Sequence, residues 1–254
     1  MKGQAENKPE YGNWVSKKLL YGTTVLGLVF IGLSIWHLAF IVLAIFFLLA
    51  FGYFIYARHE FSPEGGNLQN RIRDLVLDYL EWDGQGKALD IGCGNGPLVI
   101  KMAKKYIGAK VTGIDYWGSG WDYSQKECEK NARIEGVSEK VLFEPASASS
   151  LPYGNGHFDA VVSNFVFHEV TDTKDKKELV REALRVVKKG GVFSFQDLFL
   201  VKKIYGETDD FLEEIRSWGV KNVELAKTNE LDFIPTALKL PFMVGEIGII
   251  HGKK

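Results

Sequence analysis

The chain has 254 residues, enough for one large or two small domains with a buried core. Its formal net charge of −1 argues against a nucleic-acid partner, because such partners are usually held by a strongly basic surface. Only two cysteines occur, Cys93 and Cys128, and neither has the CxxC spacing of a disulfide framework or a zinc site. We therefore expect no metal centre, and a reducing, cytosolic setting for the soluble part of the chain.

A long apolar run lies near the N-terminus. No Asp, Glu, Lys or Arg occurs from Leu19 to Ala57. A single helix of that length would measure roughly 58 Å at about 1.5 Å per residue. The hydrocarbon core of a bilayer is about 30 Å thick and needs only about 20 residues. The run therefore predicts two transmembrane helices, near residues 20–35 and 38–57, with a tight turn around residues 34–37.

Basic residues flank this run. Lys17 and Lys18 precede it and Arg58 follows it, so the positive-inside tendency places both ends in the cytoplasm. A cleaved signal peptide is an alternative, but its apolar region is usually about 7–15 residues long. A buried hairpin of a soluble protein is the other, and it is disfavoured because the run is apolar on all faces. We expect a multi-pass membrane protein with a cytoplasmic N-terminus at 1–18, a transmembrane hairpin at 19–57, a linker at 58–66 and a cytoplasmic domain at 67–254.

The rest of the chain alternates short β-branched runs with helical patterns. This alternation is typical of an α/β domain with a mainly parallel sheet. The predicted helices are 68–81, 96–107, 125–135, 174–187 and 209–218. The predicted strands are 87–91, 110–114, 141–144, 158–163, 192–196, 223–226 and 245–251.

The most informative local pattern is ALDIGCGNG, at residues 88–96. It places Asp90 at a strand end and follows it with glycines, which let a backbone turn sharply and approach a ligand closely. Counted from Gly92, Pro97 stands where the dinucleotide-binding pattern GxGxxG requires its third glycine. A second acidic strand end, Asp115, lies 23 positions beyond Gly92 and suits a ribose diol.

Five ordered blocks extend this pattern: LDIGCGNG at 89–96, GID at 113–115, NARIEGV at 131–137, SLPYGNGHFDAVVSN at 150–164 and REALRVVKKGG at 181–191. With these blocks the chain resembles the class I S-adenosylmethionine (SAM)-dependent methyltransferases over about residues 68–201. The resemblance is greatest to the branch with ubiquinone/menaquinone and other small-molecule methyltransferases. It implies SAM as the cofactor and a Rossmann-like, seven-stranded sheet flanked by helices, here preceded by the two transmembrane helices.

The resemblance also implies cofactor-binding residues. The methionine part of SAM would be contacted by Asp90, which holds its ammonium group, and by the loop residues Gly92, Cys93, Gly94, Asn95 and Gly96. Asp115 would accept hydrogen bonds from both ribose hydroxyls, and Tyr116 would lie against the adenine. Such enzymes often have Asp-Ala where this chain has Ser147 and Ala148. The Ser147 hydroxyl could still reach the adenine amino group, and the Ala148 amide a ring nitrogen.

The candidate catalytic residues lie at two further strand ends, where ligands of open parallel sheets bind. Asn164 ends the fourth strand and would shape the site beside the sulfonium. His168 follows as the best general base, because its ordinary pKa of about 6.5 suits proton removal at neutral pH. A structural role for His168 is the alternative, and Glu169 could orient it or bind substrate. Asp197, beyond the fifth strand, is a second cleft candidate.

Two segments stay open at this stage. Trp117 and Trp121 suit a cofactor cap or substrate entrance, and equally suit core packing. Residues 229–244 suit a lid, a membrane-surface contact or a connection that covers the core.

The leading hypothesis is a membrane-anchored SAM-dependent methyltransferase acting on a small, hydrophobic or membrane-resident, lipid-like acceptor. The alternative is a SAM-binding membrane scaffold or regulatory protein without turnover. A nicotinamide-dependent oxidoreductase is disfavoured by the GxGxG spacing.

Overall fold

The computed structural model describes residues 8–118 and 123–254. The chain divides into two compact units, one formed by Asn13–Ile72 and the other by Met1–Gly12 together with Arg73–Lys254. These bounds differ from those predicted, because the described residues up to Gly12 fall in the same unit as Arg73–Lys254, whereas Asn13 and the residues that follow it fall in the apolar unit. The apolar unit is an insertion in that second unit.

Two helices form most of the first unit, as predicted: α1 spans Lys17–Leu33 and α2 spans Phe40–Phe61. Helix α1 starts where the Ser16 side chain accepts a backbone hydrogen bond, as an N-cap residue does. Helix α2 extends into the predicted linker and ends at Ser62. The extended backbone of Ser62 is the conformation favoured before a proline, here Pro63.

Most apolar side chains of this pair are exposed. The two helices meet at Gly27, where the Leu48 side chain lies 3.2 Å from the position a Cβ would take. All but four of the exposed large apolar side chains among the described residues fall between residues 19 and 56. Of the described helices, α2 alone is long and apolar enough to cross a membrane, judged by length and composition. Helix α1 has 17 residues.

A seven-stranded sheet forms the centre of the second unit, in the order β3-β2-β1-β4-β5-β7-β6. Strands β1 to β5 are parallel, and β7 runs antiparallel between β5 and β6. The strands are β1 Gly86–Ile91, β2 Ala109–Asp115, β3 Val141–Pro145, β4 Phe158–Asn164, β5 Val187–Asp197, β6 Asn222–Ala226 and β7 Gly248–Lys253. The remaining helices are α3 Leu68–Asp78, α4 Pro97–Lys105, α5 Gln125–Ile134, α6 Lys176–Arg185, α7 Lys202–Tyr205 and α8 Thr208–Ser217. The predicted α/β architecture is confirmed.

Strand β5 begins earlier than its sequence pattern predicts. Phe158 pairs with Val187 and Ala160 with Val192, so the segment between the two β5 residues bulges out of register. Gly190 within it has a φ of 79°, which a glycine adopts without strain. The apolar pattern of the strand starts only after this bulge, which explains the predicted start at 192.

The alternation of side chains along β1 fixes the face on which its acidic residue lies. Leu89 and Ile91 pack into one buried cluster, whereas Ala88 packs into the other, with residues of α3 and α4. Successive side chains of a strand point to opposite faces, so Asp90 lies on the Ala88 side. The carboxyl ends of β1, β2, β4 and β5 share one edge, where open α/β sheets bind ligands.

Candidate active site

A glycine turn joins β1 to α4. Gly92, Gly94 and Gly96 have φ angles of 72°, 58° and 80°, which residues with a Cβ rarely adopt. The Gly92 amide and the next amide both donate to the carbonyl oxygen of Ile114 on β2, at 2.8 and 2.9 Å. Pro97 takes the first position of α4, where an N–H would have no helical partner. The predicted turn is present, and it fixes the ends of β1 and β2 side by side.

Asp90 presents a buried carboxylate near the end of β1. It is 1% exposed, and its Oδ2 atom has no hydrogen-bond partner within the described residues. Burial raises the pKa of Asp90 well above its usual value and the charge of Asp115 raises it further, while Arg73 and the Val99 amide act in the opposite direction. A cationic donor would supply the missing partner and favour the charged carboxylate.

Arg73 on α3 is a member of this site that the sequence reasoning missed. Its side chain is buried, and burial lowers its pKa to about 10 although Tyr123 and Asp90 raise it, so it stays cationic at neutral pH. A guanidinium suits a ligand carboxylate, while Asp90 suits an ammonium. The available signal was an arginine on the apolar face of a helix, three and four positions before Val76 and Leu77.

Asp115 ends β2 beside the glycine turn. Its Oδ2 accepts from the Gly94 amide at 2.9 Å and its Oδ1 from the Trp117 amide at 2.8 Å. Burial raises the pKa of Asp115, and these backbone hydrogen bonds lower it. Each carboxylate oxygen can accept a further hydrogen bond, so a diol still fits. The Tyr116 side chain next to it is 78% exposed and accessible to a planar ligand.

The loop after β2 contains the two tryptophans left open by the sequence. Trp117 has a left-handed φ of 45°, and its indole Nε1 donates to the carbonyl oxygen of Gly94 at 2.8 Å. Its ring packs against the buried cluster that includes α4. For Trp117 the structure favours packing. Trp121 lies outside the described residues.

The Asn95 side chain is committed to other parts of the protein. Its Nδ2 donates to the carbonyl oxygen of Glu10 at 3.2 Å, and its Oδ1 accepts from the Ser124 amide at 3.1 Å. Asn131 on α5 exchanges two hydrogen bonds with the Glu10 main chain, at 2.9 and 3.0 Å. The two asparagines therefore hold the N-terminal segment against the cofactor loop. The Asn95 side chain is thus engaged within the protein, and its predicted contact with the cofactor stays a prediction.

Cys93 likewise has a buried side chain. Its sulfur would lie 3.0 Å from a Cβ placed on Gly113, so it fills the space behind the turn. Burial raises the pKa of the Cys93 thiol well above its usual value, and the neighbouring Cys128 raises it further. Cys93 is thus a neutral packing residue, and its predicted contact with the cofactor stays a prediction.

The end of β3 lies next to the end of β2, because the amide after β3 donates to the carbonyl oxygen of Asp115 at 3.0 Å. The Ser147 hydroxyl lies 2.8 Å from that of Ser149 and 3.1 Å from Oδ2 of Asp172. The Ser149 hydroxyl donates to the same carboxylate oxygen at 2.7 Å. Ala148 is 8% exposed. Ser147 therefore lies at this edge of the site, in a cluster formed by its own hydroxyl, the Ser149 hydroxyl and the Asp172 carboxylate.

His168 and Asp197 meet at the ends of β4 and β5. The Nδ1 atom of His168 lies 2.7 Å from Oδ1 of Asp197, and its Nε2 atom lies 3.3 Å from Oε1 of Glu169. Asp197 is fully buried, and its Oδ2 accepts from the amides of Val166 and Phe167 at 3.1 and 2.8 Å. Asp197 therefore orients both the imidazole and the turn that carries it.

The two carboxylates change the proton affinity of His168. Burial lowers its pKa, but the hydrogen bonds with Asp197 and then Glu169 outweigh burial and raise the pKa from 6.5 to about 10. With this pKa the imidazole is cationic at neutral pH, so the ordinary pKa of about 6.5 that suits a general base does not apply in this arrangement. It becomes a proton acceptor only when a carboxylate partner moves away or the pH rises.

The turn that carries His168 contacts the cofactor loop. Asn164 ends β4 with a buried Oδ1 atom that has no hydrogen-bond partner within the described residues, and Phe165 turns the chain with a φ of 58°. The side chain of Val166 then packs over Gly92, where an added Cβ would lie 2.2 Å from Val166 Cγ2. Asn164 and His168 are thus brought to the same edge as the glycine turn.

Residues 229–244 form turns between β6 and β7. Ile234 and Leu238 are buried in this segment, whereas Phe242 is 67% exposed. The structure thus favours a connection that covers the core, with one apolar ring at its surface.

Residues 89–195 match a protein family described as "Methyltransferase domain". The chain is 31% identical to the 27-O-demethylrifamycin SV methyltransferase of Amycolatopsis mediterranei, over 63% of this chain and 56% of that protein. It is 35% identical to the norajmaline N-methyltransferase of Rauvolfia serpentina, over 40% of this chain and 32% of that protein. The chain spans about half the length of the first curated relatives that it matches.

Solved structures share the fold. The [4+2]-cyclase SpnF aligns with a TM-score of 0.51 at 24% identity, over 72% of this chain and 78% of that one. A geranyl diphosphate C-methyltransferase of Streptomyces coelicolor aligns with a TM-score of 0.54 at 15% identity, over 74% of this chain and 76% of that one.

The family match supports S-adenosylmethionine as the cofactor. The residues of this site fit its chemistry. The unpartnered Oδ2 atom of Asp90 suits the ammonium group, the buried guanidinium of Arg73 the carboxylate, and the two oxygens of Asp115 the ribose diol.

Proposed function

We propose that this chain, whose residues 89–195 match the methyltransferase-domain family, transfers a methyl group from SAM to a small acceptor at the carboxyl edge of its sheet. The observation that carries this proposal is the direct contact between the cofactor turn and the turn of His168, made by Val166 over Gly92. Donor-binding and base-bearing segments are adjacent there. Methyl transfer depends mainly on holding the two reactants close and aligned, and this edge can provide that.

Different residues of the chain bind the cofactor and take the proton of the methyl acceptor. Asp90 and Arg73 hold the two charged ends of the methionine part, and Asp115 holds the ribose. The cofactor, when bound, would supply a sulfonium-bound methyl group that an in-line nucleophile could take, with the neutral thioether as the leaving group. His168 takes the proton of the acceptor on Nε2, while Asp197 keeps Nδ1 protonated and fixes the plane of the ring.

The Glu169 carboxylate lies against Nε2 of His168, the atom that takes the proton of the methyl acceptor in this proposal. Glu169 lies on a short turn and its side chain is half exposed, so an acceptor can displace it. Because Glu169 helps to raise the pKa of His168 to about 10, its displacement lowers that pKa and favours release of the Nε2 proton to solvent, which leaves the neutral imidazole. Acceptor binding thereby activates the base.

The acceptor in this proposal is hydrophobic or membrane-resident, as in the ubiquinone/menaquinone-type branch. The proposed location is a membrane, with the catalytic unit in the cytoplasm. The exposed apolar surface of α1 and α2 supports the membrane part, and α2 is long and apolar enough to cross a bilayer. The cytoplasmic side rests on the basic residues that flank the apolar run. Tethering at a bilayer raises the effective concentration of lipid-soluble molecules at the site.

The test uses the full chain in detergent with methyl-labelled SAM and a membrane extract. Transfer of label into an organic-soluble product supports the proposal. Label in an aqueous metabolite would contradict the proposed hydrophobic acceptor. Calorimetry with SAM and with NAD tests the cofactor, since NAD binding without a SAM response would overturn the assignment.

A SAM-binding scaffold without turnover is the second candidate. The observation that favours it is the engagement of both ring nitrogens of His168 by carboxylates. It predicts SAM binding with no labelled product from membrane or aqueous extracts between pH 7 and pH 10.

A further inference from the structure

The adenine end of the cofactor site lacks its expected carboxylate. Ser147 stands where similar enzymes often have aspartate, and a serine hydroxyl is a weaker acceptor for an amino group than an ionised carboxylate. The structure nevertheless places a carboxylate at this point. Asp172, from the loop between β4 and α6, accepts hydrogen bonds from the hydroxyls of Ser147 and Ser149.

The placement of this carboxylate suits the base of a nucleoside held at Asp115. The strand next to β2 is β3, which is the edge strand of the sheet. The amide after β3 is bonded to the carbonyl oxygen of Asp115. A nucleoside with its ribose at Asp115 and its base on the β3 side would place that base at the loop after β3, where Ser147 lies.

Asp172 is also available to a ligand. Its side chain is exposed, and hydrogen bonds from Ser149, above all, lower the pKa of Asp172 below its usual value, so it is ionised at neutral pH. The two serine hydroxyls converge on Oδ2, while Oδ1 accepts a long 3.4 Å hydrogen bond from the Thr173 hydroxyl. Oδ1 retains the capacity to accept an amino hydrogen.

We infer that Asp172 accepts a hydrogen bond from the adenine amino group of the cofactor, with Ser147 and Ser149 holding its carboxylate in place. This inference rests on the proposed function, because it takes the nucleoside of SAM as the ligand. It makes Asp172 the residue that distinguishes adenine from a base with a carbonyl oxygen at the same ring position.

The experiment compares two ligands by calorimetry on the full chain in detergent. They are S-adenosylhomocysteine and its counterpart with hypoxanthine, in which a carbonyl oxygen replaces the amino group. The wild-type protein should prefer the adenine ligand. In Asp172→Asn the preference should fall about tenfold, because a hydrogen bond to a charged group is lost and the new amide can donate to the carbonyl oxygen. Contacts to the ring nitrogen, such as the Ala148 amide, are common to both proteins and cancel in this ratio.

Asp210→Asn, the same chemical change on the exposed face of α8, is the matched control and should keep the wild-type preference. An unchanged preference in Asp172→Asn would overturn the inference. Equal weakening of both ligands would also overturn it, because Asp172 would then only join two loops. Absence of binding of either ligand to the wild-type protein would instead overturn the proposed function.

Discussion

The donor and acceptor ends of the catalytic edge are built by different means. At the ends of β1 and β2, left-handed glycines and main-chain hydrogen bonds shape the site, and Asp115 itself is fixed by two amides. At the ends of β4 and β5, an imidazole lies between the carboxylates of Asp197 and Glu169. Function on the donor side thus depends on backbone shape, whereas on the acceptor side it depends on the position of one proton.

Gly92→Ala should have the largest effect, because it disturbs the feature that joins the two ends. The new methyl group would overlap Val166, and the φ of 72° costs a residue with a Cβ about 1–3 kcal/mol. We expect SAM binding to fall below detection by calorimetry and the melting temperature to drop. Gly154→Ala is the control, since nothing lies within 4 Å of its added Cβ, and it should behave as wild type.

The double variant Gly92→Ala with Val166→Ala separates the two causes. Removing the Val166 methyl groups relieves the overlap and leaves the backbone strain, so the melting temperature should recover in part. Wild-type SAM affinity in the single variant would show that the donor site does not depend on this turn.

His168→Ala should have the next largest effect, and on the acceptor side alone. General bases contribute about 10²–10⁴-fold to rate, so kcat should fall by that order with a change in SAM affinity below about threefold. His157→Ala, on the loop before β4, is the matched histidine control. A variant with wild-type turnover would remove His168 from the catalytic residues.

Glu169→Gln should have the smallest effect, a displacement of the pH profile. A histidine is protonated below its pKa, so turnover by neutral His168 should rise with pH toward about 10 in the wild-type protein. Without the Glu169 charge the pKa of His168 is lower, so the rise should move to lower pH. The measurement is kcat/KM against pH, paired with NMR titration of the imidazole, and coincident profiles would contradict the role of Glu169.

The contrast between the two ends explains what the sequence could reveal. A left-handed turn favours glycine, and glycines are visible in the sequence itself, so Gly92 was recognisable, together with Asp90 and Asp115, from local spacing. The pairing of His168 with Asp197 joins residues 29 positions apart that no local pattern connects. The sequence named both as candidates, but neither their contact nor the pKa that follows from it.

Arg73 and Asp172 escaped prediction for the same reason. Each acts across two elements: the charge of Arg73 acts on Asp90 of β1, and Asp172 reaches the loop after β3. The seven strands were predicted because a run of β-branched residues is a local pattern. The early start of β5 was not predicted, because a bulge interrupts the apolar pattern of that strand.

The hydrogen bonds of Glu10 have a consequence for protein engineering. The catalytic unit is discontinuous, since its first described residues precede the apolar helices and are held by the amides of Asn95 and Asn131. A recombinant chain that simply began after the helices would lose that segment, and both amides would lose the Glu10 main chain as a partner beside the cofactor turn. Excision of the helices, with Gly12 joined to Leu68 at the start of α3 through a flexible glycine–serine linker, would keep both the segment and α3 in the chain.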